Sequence, residues 1–254
     1  VTDSAGSPAT ADSNEVHIKT QPADHHTLVF AVVGDSIING FFNQSGATPL
    51  TPLLSTLGGK AQITGGATVA NNRAVSGTTS LDWQLGGSLL PNVVADIAGQ
   101  GCNVAIILLG TNDAKTSVAT SSSTYLARMT AILDALVAAG VRAFVSYPPF
   151  LDWTIAPGAA WDSTVDTFLT GYMAQLDSLH NGTTIFRIGN SPNLHTTTQA
   201  AEGTYLQADG THLTSSGVSL FGTDWANQIY SDLFPSGAAS RVSQHLAMAV
   251  RMGL

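Results

Sequence analysis

Charge is scarce in this chain of 254 residues: only 10% are Asp, Glu, Lys or Arg, against the quarter or so usual in a soluble domain. Its surface must then be built from Ser, Thr, Asn, Gln and Gly, a composition that leans towards a secreted or extracytoplasmic protein. Lysine is confined to Lys19, Lys60 and Lys115, no basic cluster occurs, and the formal net charge is −8. A protein that tracks phosphates needs the opposite balance, so nucleic acid is not an expected partner. The single cysteine, Cys102, excludes an intrachain disulfide framework and any Cys-rich metal site. Standing just before an apolar run, it reads as a buried, inert thiol. No run approaches the ~18 consecutive apolar residues of a membrane span. The opening residues VTDSAGSPATADSNE show no basic stretch followed by an apolar one, so no signal peptide is expected. They fit a mature form after cleavage or one part of a longer chain.

What the chain does have is core: 44% of its residues are hydrophobic, and no interior linker divides them, so one large domain is expected. Residues 1–24 are polar and aperiodic and read as a tail or a segment lying along the surface. Residues 25–234 carry the patterning of the domain. Residues 235–254 read as a second tail, either a short helix or an expression-derived extension. Asn43-Gln-Ser and Asn181-Gly-Thr fit the glycosylation sequon and mark positions to inspect.

Within the domain, TLVFAVVG (27–34) is a continuous apolar, β-branched run ended by Gly, as expected of a strand buried on both faces. Similar runs lie at 67–75, 103–110, 141–147 and 183–189, the first of them weaker. Helical patterns lie between: 50–57, 80–99 (broken by Gly86, Gly87 and Pro91), 124–139, 162–179 and 215–233. In the third of these, Leu126, Met129, Leu133, Leu136 and Val137 share a face, and Gly140 stops it. About five apolar strands alternating with helices imply an α/β fold with a parallel sheet covered on both sides. Sites in such sheets form outside the carboxyl ends of the strands. Ser36 follows the first strand, Gly77 the second and Asn112 the third, so all three should emerge at one rim.

Four short strings sit at these places in order: Gly34-Asp35-Ser36, Ser76-Gly77-Thr78, Gly110-Thr111-Asn112-Asp113 and Asp209-Gly210-Thr211-His212. Asp35 or Ser36 could simply cap a helix. Read chemically, Ser36 is a nucleophile in want of a base, since a hydroxyl is weak until its proton is removed. Of seven histidines, His17, His25 and His26 lie in or near the N-terminal segment. His180 follows a helix, His195 is in a long loop and His245 is in the tail. His212 has a carboxylate, Asp209, three positions before it in a turn-forming Asp-Gly-Thr-His string. Asp209 could accept the Nδ1 proton, leaving Nε2 as base, or the pair could be an Asx-turn beside a surface histidine. A histidine base predicts a rate that declines on acidification. Asn112 could close a turn at a strand end or donate its amide to a carbonyl oxygen that gains charge. Gly77 and Ser36 could donate backbone N–H groups to the same oxygen. Asp113 is assigned a structural role.

In order and approximate spacing, these strings resemble the sequence blocks of the SGNH hydrolases, the GDSL-type esterase/lipase family, with Ile37 in place of the signature's Leu. The resemblance spans roughly residues 28–233. It implies a three-layer α/β/α sandwich with a mostly parallel, flavodoxin-like sheet. It also implies Ser36 as nucleophile, His212 as base, Asp209 as its orienter, and Ser36, Gly77 and Asn112 as an oxyanion hole. Neither cofactor nor metal is required. The implied partner is a small-molecule or glycan ester, and the oligomeric state is open.

For substrate contacts, Phe41, Phe42, Trp153 and Trp161 could form a platform for a sugar face or the walls of an acyl slot, or could pack beneath their own loops. A short acyl group, acetyl on carbohydrate, is favoured. The alternatives are a lipase or lysophospholipase, a thioesterase, and a non-catalytic carbohydrate-binding or adhesion module on the same scaffold. A metal hydrolase using Asp113, His195, Asp209 and His212 ranks last, for want of a ligand-spaced motif.

Overall fold

The computed structural model describes residues 27–152, 162–189 and 204–235. The expected strands form over the centres of the apolar runs: β1 (Leu28–Gly34), β2 (Ala67–Asn71), β3 (Val104–Leu108), β4 (Arg142–Ser146) and β5 (Ile185–Ile188). They pair in the order β2-β1-β3-β4-β5, every pair parallel, which is the flavodoxin-like doubly wound order. β2, one of the two edge strands, is only partly buried, which explains the weakness of its apolar signal.

The helices are α1 (Ser36–Asn39), α2 (Leu50–Gly58), α3 (Leu89–Gln100), α4 (Ser122–Ala138), α5 (Thr164–Leu179) and α6 (Ser215–Leu233). The broken pattern at 80–99 resolves into turns up to Gly87 and a helix from Leu89. Pro91 falls in the first turn of α3, where no N–H is needed. Helix α4 starts two residues earlier than expected because the Ser121 hydroxyl accepts the Thr124 N–H at 3.2 Å, a side-chain cap. Its core face is Tyr125, Met129, Ile132, Leu133 and Leu136; Leu126 and Val137 lie at the edges of that face, half-buried.

Side chains alternate across the sheet, since successive residues of a strand point to opposite faces. Ala31, Val33, Ala105, Ile107, Ala143 and Val145 pack beneath α3, α4 and α5. Phe30, Val32, Ile106, Leu108, Phe144 and Ile188 pack against α2 and α6. The result is the three-layer sandwich. One polar link crosses the second layer: Trp225 of α6 donates its indole N–H to the buried Ser146 hydroxyl at 2.9 Å. Cys102 is buried, its thiol 3.6 Å from the Asp96 carbonyl.

Helices α2 and α6 touch at backbone range. A Cβ on Gly222 would lie 2.3 Å from the Pro49 carbonyl oxygen and 2.5 Å from Pro52 Cγ. Gly222→Ala should therefore destabilise the chain by about 1–3 kcal/mol, as overpacking does, read as a lowered Tm. Gly99→Ala in exposed α3, where a Cβ meets nothing within 4 Å, should leave Tm unchanged or raise it.

Candidate active site

The sheet register brings the site together. Gly34 pairs with Leu108, Leu108 with Ser146, and Ser146 with Ile188, so four strands end on one line. Directly after Gly34 the chain turns into α1. Asp35 is its N-cap, accepting the Ile37 N–H at 2.9 Å, and Ser36 is its first residue. The turn is tight enough that a Cβ on Gly34 would lie 1.9 Å from Ile38 Cγ2. The cap and nucleophile readings of the Gly-Asp-Ser string are thus compatible: Asp35 caps, and the Ser36 hydroxyl turns to the rim.

There Ser36 Oγ lies 3.0 Å from His212 Nε2, across 176 positions of sequence. His212 Nδ1 lies 2.6 Å from Asp209 Oδ2. The other Asp209 oxygen accepts the backbone N–H groups of Thr211 and His212, each at 2.9 Å. The Asx-turn and the imidazole-orienting contact are therefore made by one carboxylate using its two oxygens. Burial pushes the Asp209 carboxyl up, but the hydrogen bonds from His212 and Thr211 outweigh it and hold the group below its ordinary value. It is therefore an anion at neutral pH. Its charge faces Nδ1, which selects the tautomer whose Nε2 can take a proton from Ser36.

Ser36, Gly77, Asn112, His212, Asp209, Thr211, Phe42 and Lys115 line one cavity of about 220 Å³. Gly77 holds φ +81, a backbone conformation that costs an L side chain about 1 kcal/mol or more. Asn112 donates one amide hydrogen to the Thr78 carbonyl at 3.0 Å, and a carboxamide has two to give. That bond ties the loop after β3 to the loop after β2. A second tie lies deeper: the buried Asp113 carboxylate accepts the Ser80 N–H at 2.8 Å and the Ser80 hydroxyl at 2.6 Å, with Arg128 3.6 Å away. Asp113 thus has the structural place assigned to it, its carboxylate engaged by Ser80 and Arg128. Among the described residues no three His, Cys, Asp or Glu side chains gather as a metal site would require.

Phe42 stands beside the imidazole, ring centroids 5.2 Å apart. Phe41 is 74% exposed and packs edge-on against Phe42 without lining the cavity. Trp153, Trp161 and His195 fall outside the described residues. Sequence reasoning gives no role to Thr78 and Thr211, although both stand in the motif strings, nor to Lys115, which carries no signal until the loops are folded. It also passed over Asn43 as a sequon. Asn43 is buried, and its amide nitrogen donates to the Ile37 and Ala47 carbonyls, both at 2.9 Å, so a glycan there would take a hydrogen that one of these bonds needs. Asn181, by contrast, is exposed.

Residues 32–220 match the model of the GDSL-like Lipase/Acylhydrolase family. No curated protein matches the chain. Solved structures of similar fold include a lipase/acylhydrolase from Enterococcus faecalis, 17% identical with TM-score 0.57, covering 84% of this chain and 99% of that one. A carbohydrate acetylesterase from Sinorhizobium meliloti is 16% identical with TM-score 0.55, covering 80% and 99%. A family 3 carbohydrate esterase from Clostridium thermocellum is 14% identical with TM-score 0.57, covering 82% and 97%.

Directly under the turn that carries Ser36, Asp35 is wholly buried, and its Oδ2 has no hydrogen-bond partner among the described residues. Burial first, and then the neighbouring Asp113 charge, push it up to about 7; the Ile37 N–H opposes them, as more weakly do the Thr111 hydroxyl and Lys115. A carboxyl raised on folding stabilises the fold below its unfolded value, about 3.9, and loses that stability as pH rises towards the folded value. Asp35→Asn keeps the cap acceptor and removes the titration. Its Tm should exceed that of the parent at pH 8, with the gap closing by pH 5. Melting curves at the two pH values check this, and a gap that widens at pH 5 refutes it.

Proposed function

The chain belongs to the GDSL-like lipase/acylhydrolase family and is a serine carboxylic ester hydrolase; from that premise we propose that it removes short acyl groups, acetyl foremost, from carbohydrate. The observation that carries the reading is the series Asp209–His212–Ser36 opening into a cavity of about 220 Å³ that Gly77 and Asn112 also line. Pockets for drug-sized ligands hold roughly 300–1,000 Å³, so this one suits a few-carbon acyl group and leaves a larger alcohol outside. On this reading Phe42, in the cavity wall, and the exposed Phe41 packed against it meet that alcohol, since an exposed aromatic face suits a sugar ring. The carbohydrate acetylesterase and carbohydrate esterase among the neighbours of similar fold are in keeping with it.

The proposed mechanism uses these residues in turn. His212 Nε2 takes the Ser36 proton as Oγ attacks the ester carbonyl, and Asp209 holds the imidazolium that forms. The carbonyl oxygen becomes an anion. The Ser36 N–H, which has no helical partner at the start of α1, the Gly77 N–H and the second Asn112 amide hydrogen receive it. Collapse breaks the bond to the alcohol, which leaves with the proton from His212. Water then attacks the acyl-Ser36 carbonyl, giving its proton to His212; collapse breaks the bond to Ser36 Oγ, which takes that proton back, and the carboxylic acid is released.

Ser36→Ala should keep the wild-type Tm, lose fluorophosphonate labelling and lose about 10⁴-fold or more in kcat on an activated acetyl ester. Activity within tenfold of wild type would refute the assignment, and a wild-type chain that fails to label would favour the binding module. Across acetyl, butyryl and octanoyl esters of one alcohol, kcat/KM should fall with chain length, and an acetylated oligosaccharide should be deacetylated. A preference for octanoyl would replace the short-acyl reading with a lipase.

A further inference from the structure

Ser36 and His212 meet from loops far apart in the chain, and the strands position only one of them. Ser36 is fixed by β1 and α1. His212 lies in the turn closed by the Leu206–Leu213 bridge before α6, and the residue that follows it, Leu213, holds it to the loop after β1. Leu213 donates its N–H to Asn43 Oδ1 at 3.1 Å, and its carbonyl accepts the Gln44 N–H at 2.9 Å. The same Leu213 carbonyl and the Phe42 carbonyl both accept from the Gln207 side-chain amide, at 3.2 and 2.7 Å. The Asn43 amide completes the seam by donating to the carbonyls of Ile37 and Ala47. One buried carboxamide therefore spans the residue after the nucleophile and the residue after the base, with its acceptor and both hydrogens in use.

We propose that Asn43, assisted by Gln207, is a positioning residue that sets the distance between Ser36 Oγ and His212 Nε2. This rests on the reading of Ser36 and His212 as nucleophile and base. The physical reason is that the three Asn43 bonds are satisfied together only at one separation of the two loops. A buried amide left half-paired costs about 1–3 kcal/mol, so the loops do not drift. Asn43 lines no part of the cavity, so it acts on proton transfer and not on substrate binding.

Asn43→Ala should lower kcat by roughly 10–100-fold, the scale of an ångström's misplacement, with KM changed less than about threefold. Asn43→Asp is the sharper variant. Its carboxyl can still accept from Leu213, but when ionised it turns an anion towards the Ile37 and Ala47 carbonyls, and only when protonated can it donate to one of them. Burial against two carbonyls favours the protonated form. The charged groups already at this seam, Asp209 and His212, are common to both proteins. The ratio of variant to wild-type kcat therefore cancels them and should rise several-fold from pH 8 to pH 6. Gln207→Ala, at a half-exposed position, tests the same seam should the Asn43 variants not fold, and should lower kcat about three- to tenfold at constant KM.

Wild-type kcat in folded Asn43→Ala, a rise in KM alone, or a pH-independent ratio for Asn43→Asp would each overturn the proposal. So would unchanged kcat in Gln207→Ala if neither Asn43 variant folds. Failure of the parent reading looks different: wild-type protein would then neither label with a fluorophosphonate nor depend on Ser36.

Discussion

The parallel register of the sheet is the constraint on which the rest depends. With Gly34, Leu108, Ser146 and Ile188 in line, every loop that leaves a central strand begins on the same edge. A one-residue slip would turn each strand's apolar set to the opposite face, and both faces are buried under helices. Two separate cores thus hold the alignment of the edge that carries the chemistry. Ser36 and the loop of Asn112 emerge side by side because β1 and β3 are hydrogen-bonded neighbours, although Asn112 follows Ser36 by more than seventy residues.

Precision beyond the strand ends comes from buried polar bonds between loops. Asn112 to Thr78 and Asp113 to Ser80 join the loops after β3 and β2. Asn43 and Gln207 join the loop after β1 to the segment before α6. Each such bond adds little net free energy, but leaving one partner unpaired in the interior is costly. Loops tied this way have one favourable arrangement instead of several. Asp35 is the exception in the set, a buried carboxyl with an unpartnered oxygen, and its raised proton affinity is the price of a cap placed where no water reaches.

Much of this was readable in advance. The runs TLVFAVVG and NVAIILLG announce doubly buried strands because parallel strands covered on both faces need apolar side chains at every position. Asp209 three residues before His212 announces their contact because an Asx-turn closes over that span. β2 is faint because its residues are only half-buried or exposed, so few of its positions need an apolar side chain. Helix α4 starts two residues before its periodicity does because a serine cap outweighs periodicity at a terminus, and its buried stripe runs through Tyr125 and Ile132 in place of the flanking Leu126 and Val137. Asn43 read as a glycosylation triplet, since its partners Ile37, Ala47 and Leu213 are backbone groups that no sequence pattern displays.

Local chemistry, then, was settled by the chain itself: which segments are strands, where each turns, which residue can carry a nucleophile, a base or a carboxylate. These depend on neighbours within a few positions, and their signals survive in a linear string. The distance from Ser36 to His212, the shared cavity with Gly77 and Asn112, and the clasp at Leu213 were decided only by folding. They join residues tens to nearly two hundred positions apart, through sheet register and through backbone hydrogen bonds that any side chain could have accompanied.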